Sequence, residues 1–131
     1  MIDDVAVKEL VAKAREALEA AYAPYSGYAV GAAVLSANGS IYSGANIENA
    51  AYSASLCAER VAVAKAVTEG ARDIVAVAIV AGDRRLAAPC GACRQVIHEF
   101  NPECLIIMAG GSETIVKPVS ELLPMAFRLK R

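Results

Sequence analysis

The chain has 131 residues, 56% of them hydrophobic, and its 13 basic and 14 acidic residues leave a net charge of −1. Disorder is excluded by that apolar content, and a chain of this length buries roughly two-thirds of its unfolded surface, so residues 1–131 read as a single domain with a real core. The balanced charge excludes a broad phosphate-binding face, leaving Arg84-Arg85 and the tail Arg128, Lys130 and Arg131 as solvated loop and terminus.

A helix is expected over residues 3–21, where Val7, Leu10, Val11, Ala14, Ala17, Leu18 and Ala21 recur at helical spacing and Asp3 or Asp4 can cap the start. Pro24 forbids its continuation. Residues 20–47 carry no charge, long enough for a membrane span, but Pro24, Gly27, Asn38, Gly39, Gly44 and Asn46 interrupt them. Residues 28–36 and 41–45 read instead as paired strands, joined at Asn38-Gly39, where both residues tolerate positive φ. A polar loop at 46–52 follows, then a helix capped by Ser53 or Ser55 and running to about Glu69. The longest apolar run, 74–81, is strand-sized and apolar on both faces, as in a strand covered on both sides. Next come a loop at 82–89, a helix from 90 to 100 stopped by Asn101-Pro102, strands at 104–109 and 114–117, and a closing turn or helix at 121–127. The order α-β-β-α-β-α-β-β-α predicts an α/β fold, a three-layer α/β/α sandwich around a mixed sheet of about five strands. The acidic start, MIDDVAVKEL, lacks the layout of an export signal, so a cytoplasmic protein is expected.

Chemistry concentrates at two helix starts, Cys57-Ala58-Glu59 and Pro89-Cys90-Gly91-Ala92-Cys93. A helix N-terminus favours thiolate over thiol, and cysteines three apart share one face of a first turn. Cys104 lies in an apolar strand and reads as core; His98, more than two turns past Cys90, reads as solvent-facing or interfacial. Three sulfurs remain, Cys57, Cys90 and Cys93. A three-ligand set leaves the open position of a catalytic zinc site, whereas structural sites close with four. Three thiolates give such a site a charge of −1, which Arg60 is placed to offset by donating toward the sulfurs. Glu59, two residues past a ligand, can shuttle a proton. A redox dithiol is the competing reading of Cys-Gly-Ala-Cys, but it leaves Cys57, Glu59 and the polar loop unexplained.

These segments, together with Ala23-Pro24-Tyr25-Ser26, Val30-Gly31-Ala32-Ala33, residues 44–52 (GANIENAAY), Arg94-Gln95 and Glu121-Leu122-Leu123-Pro124 with Phe127, closely resemble the small homotetrameric zinc-dependent cytidine deaminases over nearly the whole chain. The resemblance implies one Zn²⁺ per subunit on Cys57, Cys90 and Cys93, and attack of zinc-bound hydroxide on C4 of cytidine or deoxycytidine. Glu59 would move protons to ring N3 and the departing amine. It places Asn46 and Glu48 on the ribose 3′-hydroxyl, and Ala58 and Tyr28 at the substrate, Tyr28 standing where the family usually has Phe. Ala50, Tyr52 and Phe127 would approach the sites of neighbouring subunits, with Arg60 and Gln95 supporting the site from behind. The Ala-rich apolar excess would then serve close subunit packing. An editing deaminase acting on nucleic acid is disfavoured by the charge, a purely structural zinc protein by Glu59, and a modified-nucleoside deaminase of the blasticidin S type by Asn46-Ile47-Glu48-Asn49. The expected partners are a nucleoside and further copies of the chain, with no nucleic acid and no membrane.

Overall fold

The structure, a computed structural model, describes residues 2–130. Helix α1 (Asp4–Ala17) starts where the Asp3 carboxylate accepts the Ala6 N–H at 2.8 Å, the cap expected from the sequence. It ends earlier than its periodicity predicts, because residues 18–20 tighten into a 3-10 turn. Tyr22 can then run extended beside Ile47, donating to the Asn46 carbonyl at 2.9 Å and accepting from Glu48 N–H at 2.8 Å.

Strands β1 (Val30–Ser36) and β2 (Ile41–Ala45) form the expected antiparallel hairpin, but not through a two-residue turn. Only Gly39 takes positive φ, +93°. Its N–H donates to Ser36 O while Ser36 N–H donates to Ser40 O, closing a three-residue loop with a glycine bulge. Asn38 keeps negative φ and instead accepts the Ser40 N–H at 3.0 Å through its side chain.

The remaining elements are α2 (Ala58–Thr68), β3 (Ile74–Ala81), α3 (Gly91–Phe100), β4 (Leu105–Ala109), β5 (Thr114–Pro118) and α4 (Val119–Leu122). The five strands form one mixed sheet, ordered β2-β1-β3-β4-β5, in which only β3 and β4 pair parallel. Alternation along each strand gives the sheet two different faces. Ala32, Val34, Val77, Ile79, Ile106 and Met108 turn toward the layer of α2 and α3. Ala33, Ala76, Ala78 and Ile107 turn toward α1, against Leu10 and Ala14. Three layers result, as the order of elements predicts.

Small residues let α1 and α2 settle close to the sheet, which gives much of the alanine a destination inside the chain itself. Ala14, Ala33, Ala58, Ala62, Ala66, Ala76 and Ala78 are all buried here. Gly31 marks the tightest approach, since a Cβ there would lie 2.0 Å from the Ala14 carbonyl oxygen, a backbone atom that cannot swing away. Gly31→Ala is therefore expected to push α1 off the sheet and cost about 3 kcal/mol, the upper part of the overpacking range, read as a lowered urea midpoint. An unchanged midpoint would mean that this contact is looser than described.

The C-terminal segment crosses α3. Arg94 Nη1 donates to the Leu122 carbonyl at 2.6 Å and Gln95 Nε2 to the Phe127 carbonyl at 3.0 Å. His98 is not solvent-facing: it is 7% exposed and falls with Cys93 and Ile97 among the buried residues of α3. Cys104 is fully buried as expected, and burial pushes its thiol up to about 12. Arg84, Arg85, Arg128 and Lys130 are exposed, and Arg131 lies outside the described residues. No helix among the described residues is long and apolar enough to cross a membrane.

Candidate active site

Two helix starts meet at a cleft of about 280 Å³, whose walls include Tyr28, Val30, Asn46, Glu48, Leu56, Cys57, Ala58, Glu59, Ile79, Ala87 and Cys90. Cys57 is the N-cap of α2 and makes no capping bond to the helix. Its sulfur lies 3.9 Å from that of Cys90, the N-cap of α3. Cys90 Sγ accepts the Cys93 N–H at 3.4 Å, which sets the pair on one face of the first turn. The sulfurs of Cys57, Cys90 and Cys93 all lie within 4.8 Å of one another. Tetrahedral Zn–S bonds of about 2.3 Å require sulfurs about 3.8 Å apart, so the donor set fits that ion. Among the described residues no further Cys, His, Asp or Glu joins this group of three sulfurs.

Electrostatics favour charge at this point. Hydrogen bonding from Cys93, and then from Cys90 and the Arg60 charge, pulls the Cys57 thiol down to about 5 against the opposing effect of burial. Cys93 moves the other way, upward, because Cys57 takes its hydrogen bond and burial adds to the shift. Arg60 reaches the Ser55 carbonyl through Nη2 at 2.9 Å, and its Nε is buried without a partner among the described residues. Its expected donation toward the sulfurs is therefore mainly an effect of charge on Cys57.

Glu59, on the first turn of α2, is 4% exposed and lines the same cleft. Burial pushes its carboxyl above the usual range, against a backbone hydrogen bond that lowers it and with the Cys57 charge adding to the rise. A carboxyl biased toward its neutral form beside three convergent sulfurs suits both accepting and returning a proton.

Asn46 and Glu48 project to the same side of an extended segment, with Ile47 opposite. That segment is clamped between Tyr22 on one side and Leu56 on the other, through Ile47 N–H to Leu56 O at 2.9 Å and Leu56 N–H to Ile47 O at 2.8 Å. This pairing explains why neither Ser53 nor Ser55 caps α2. Residues 52–54 make a 3-10 turn, the chain runs extended through Leu56, and the cap falls on Cys57. Asn46 Oδ1 accepts from Val30 N–H at 2.9 Å and its Nδ2 donates to the Tyr28 carbonyl at 2.8 Å. Glu48 is tied to Tyr25 and Ser26.

The cleft brings together Cys57, Cys90, Glu59, Ala58, Tyr28, Asn46 and Glu48, with Cys93 buried behind its sulfur partners. Ala50, Tyr52 and Phe127 lie outside it and are exposed, Tyr52 to 81%. Gln95 supports the C-terminal segment at Phe127 rather than the sulfurs. Val30, Leu56, Ile79, Ala87 and Ala88 supply apolar walls that spacing could not reveal, because they come from four separate segments. Ser26 belongs to a segment that carries the resemblance, but its tie to Glu48 is visible only once the fold brings the two together.

A family model described as the cytidine and deoxycytidylate deaminase zinc-binding region matches residues 5–109. The chain is 50% identical over 120 residues to the cytidine deaminase of Halalkalibacterium halodurans, covering 90% of this chain and 91% of that one. Among solved structures, the cytidine deaminase of Burkholderia pseudomallei superposes with a TM-score of 0.88 at 40% identity, covering 92% of this chain and 98% of that one. The cytidine deaminase of Mycobacterium tuberculosis superposes at 0.84 with 35% identity, covering 98% of this chain and 100% of that one. The arrangement of three convergent sulfurs and a buried glutamate thus occurs in a chain that belongs to the cytidine deaminase family of hydrolytic enzymes.

Proposed function

We propose that the protein hydrolytically deaminates free cytidine and 2′-deoxycytidine to uridine and 2′-deoxyuridine, releasing ammonia, as a cytoplasmic enzyme of pyrimidine salvage. The observation that carries this reading is Glu59, buried beside three sulfurs at the wall of a small cleft. Cys57, Cys90 and Cys93 would hold one Zn²⁺ per subunit. When bound, zinc supplies a Lewis acid that makes water nucleophilic near neutral pH. Glu59 takes a proton from the attacking water and gives it to ring N3, then takes the proton of the new C4 hydroxyl and gives it to the departing amine as the carbonyl forms. Arg60 offsets the negative charge of the thiolates. The apolar walls exclude bulk water around the base, and Tyr28 lies along it.

The sugar is assigned to the polar end of the cleft. After its two internal hydrogen bonds, Asn46 retains one amide hydrogen and one lone pair, and the Glu48 carboxylate retains a lone pair on Oε2. Together these can both donate to and accept from the ribose 3′-hydroxyl. A homotetramer with shared sites gives Ala50, Tyr52 and Phe127 a purpose that their positions in one chain do not. It is supported by an apolar groove along α2 and α3 that includes Ile47, Leu56, Val61, Val67, Val96 and Phe100. Sedimentation equilibrium, read against the mass of one chain, tests the assembly.

The activity is tested by following ammonia from zinc-loaded protein given cytidine, deoxycytidine or a cytosine-containing oligonucleotide. Both nucleosides are expected to release it and the oligonucleotide is not. Release from the oligonucleotide alone would overturn the reading.

A further inference from the structure

The Glu48 carboxylate is oriented almost wholly by one short turn. Its Oε1 accepts the backbone N–H groups of Tyr25 at 2.9 Å and Ser26 at 3.1 Å, and its Oε2 accepts the Ser26 hydroxyl. The same Ser26 oxygen accepts the Tyr28 N–H at 2.9 Å. Tyr28 in turn presents its carbonyl to Asn46 Nδ2 at 2.8 Å. One hydroxyl therefore joins the carboxylate to the aromatic wall of the cleft, and through that wall to the amide. Gly27 makes the turn possible. Its φ of +69° and its N–H bond to the Ala23 carbonyl at 2.9 Å bring Ser26 back over Glu48.

Ser26 is not needed to hold the main chain of this region. The backbone of 46–48 is already clamped by Tyr22 and Leu56, and Asn46 N–H donates to the Val30 carbonyl at 3.2 Å. What the Ser26 hydroxyl adds is the direction of a long, otherwise rotatable side chain. A hydroxyl has one proton to donate, and here it goes to Glu48, while a lone pair takes Tyr28 N–H. The Ser26 side chain, followed by its backbone N–H, also accounts for most of what holds the Glu48 carboxyl below its usual range, so Glu48 stays an ionised acceptor.

We propose that Ser26 is a positioning residue for sugar recognition: by locking Glu48 and the Tyr28 backbone to one hydroxyl, it aims a carboxylate oxygen at the 3′-hydroxyl of the bound nucleoside. It acts through Glu48, and the inference rests on the nucleoside reading given above. Preorganisation of this kind lowers the cost of binding without touching the reacting carbon.

The test is steady-state kinetics of the zinc-loaded wild type, Ser26→Ala, Ser26→Thr, Glu48→Gln and the Ser26→Ala/Glu48→Gln double variant, each on cytidine and on 3′-deoxycytidine. Loss of a hydrogen bond to a charged group predicts that Ser26→Ala raises KM for cytidine about tenfold, with kcat within about twofold. KM for 3′-deoxycytidine, which lacks the hydroxyl that Glu48 would meet, is expected to be the same in wild type and Ser26→Ala. Thr keeps the hydroxyl and is expected to restore most of the cytidine KM. In the Glu48→Gln background, Ser26→Ala is expected to add little, because the two act as one unit. Ser26 is exposed, so the variants are expected to fold, with thermal unfolding as the check. An equal rise of KM on both substrates would reduce Ser26 to a general loop residue, and an unchanged cytidine KM would remove its role altogether. No ammonia from wild type and cytidine would instead overturn the nucleoside reading itself, and the inference with it.

Discussion

Glu59→Gln is expected to keep the fold and one zinc per chain while losing about 10³-fold or more of kcat on cytidine. General acid–base catalysis by a placed carboxyl is commonly worth 10²–10⁴-fold, and Glu59 is assigned more than one proton transfer in the same turnover. Gln matches Glu in size and can still hydrogen-bond, but it can neither take a proton from water nor return one. The substitution also removes the need to bury a carboxylate at a site only 4% exposed, so stability is expected to hold or rise. A fall in Tm would accordingly point to damage of another kind. The measurements are kcat by ammonia release, zinc by elemental analysis and Tm by calorimetry. Turnover within about tenfold of wild type, with zinc intact, would remove Glu59 from proton transfer.

The same residue shows what was legible before the fold was known. Cys57-Ala58-Glu59 and Cys90-Gly91-Ala92-Cys93 could be read from spacing because a helix start fixes the relation of residues two or three apart. Local rules also placed β2 and β3 at their observed bounds: β3 is covered on both faces and so is apolar throughout, and β2 is bounded by a glycine bulge and a polar loop. Failures arose where distant segments decide. The cap of α2 fell on Cys57 because Leu56 pairs with Ile47. The side chains of Asn46 and Glu48, read as sugar contacts, turn out to hold the walls of the cleft as well. In each case the deciding partner lies far along the chain, and no periodicity or propensity encodes it.

Removal of one sulfur separates the metal from the rest of the fold. Cys93→Ala is expected to abolish stoichiometric zinc binding and activity together, leaving secondary structure in place. Cys93 is fully buried, and the cluster offers only three sulfurs, so two ligands remain and the cleft side stays open to water. Metal that binds only the folded chain stabilises it by RT ln(1 + [Zn]/Kd), about 4 kcal/mol when free zinc is a thousandfold above Kd. For a chain of this length that corresponds to a shift in Tm of roughly 10 °C or more. Wild type is therefore expected to lose that much Tm when chelator strips its zinc, whereas Cys93→Ala gains nothing from added zinc. Cys104→Ala supplies the contrast, since Cys104 is equally buried but belongs to the apolar core beneath α3. It is expected to lower Tm through lost packing while keeping one zinc per chain and the same zinc-dependent increment. A zinc-loaded Cys93→Ala protein, or a Cys104→Ala protein that cannot hold zinc, would reverse the division of the four cysteines into three ligands and one core residue.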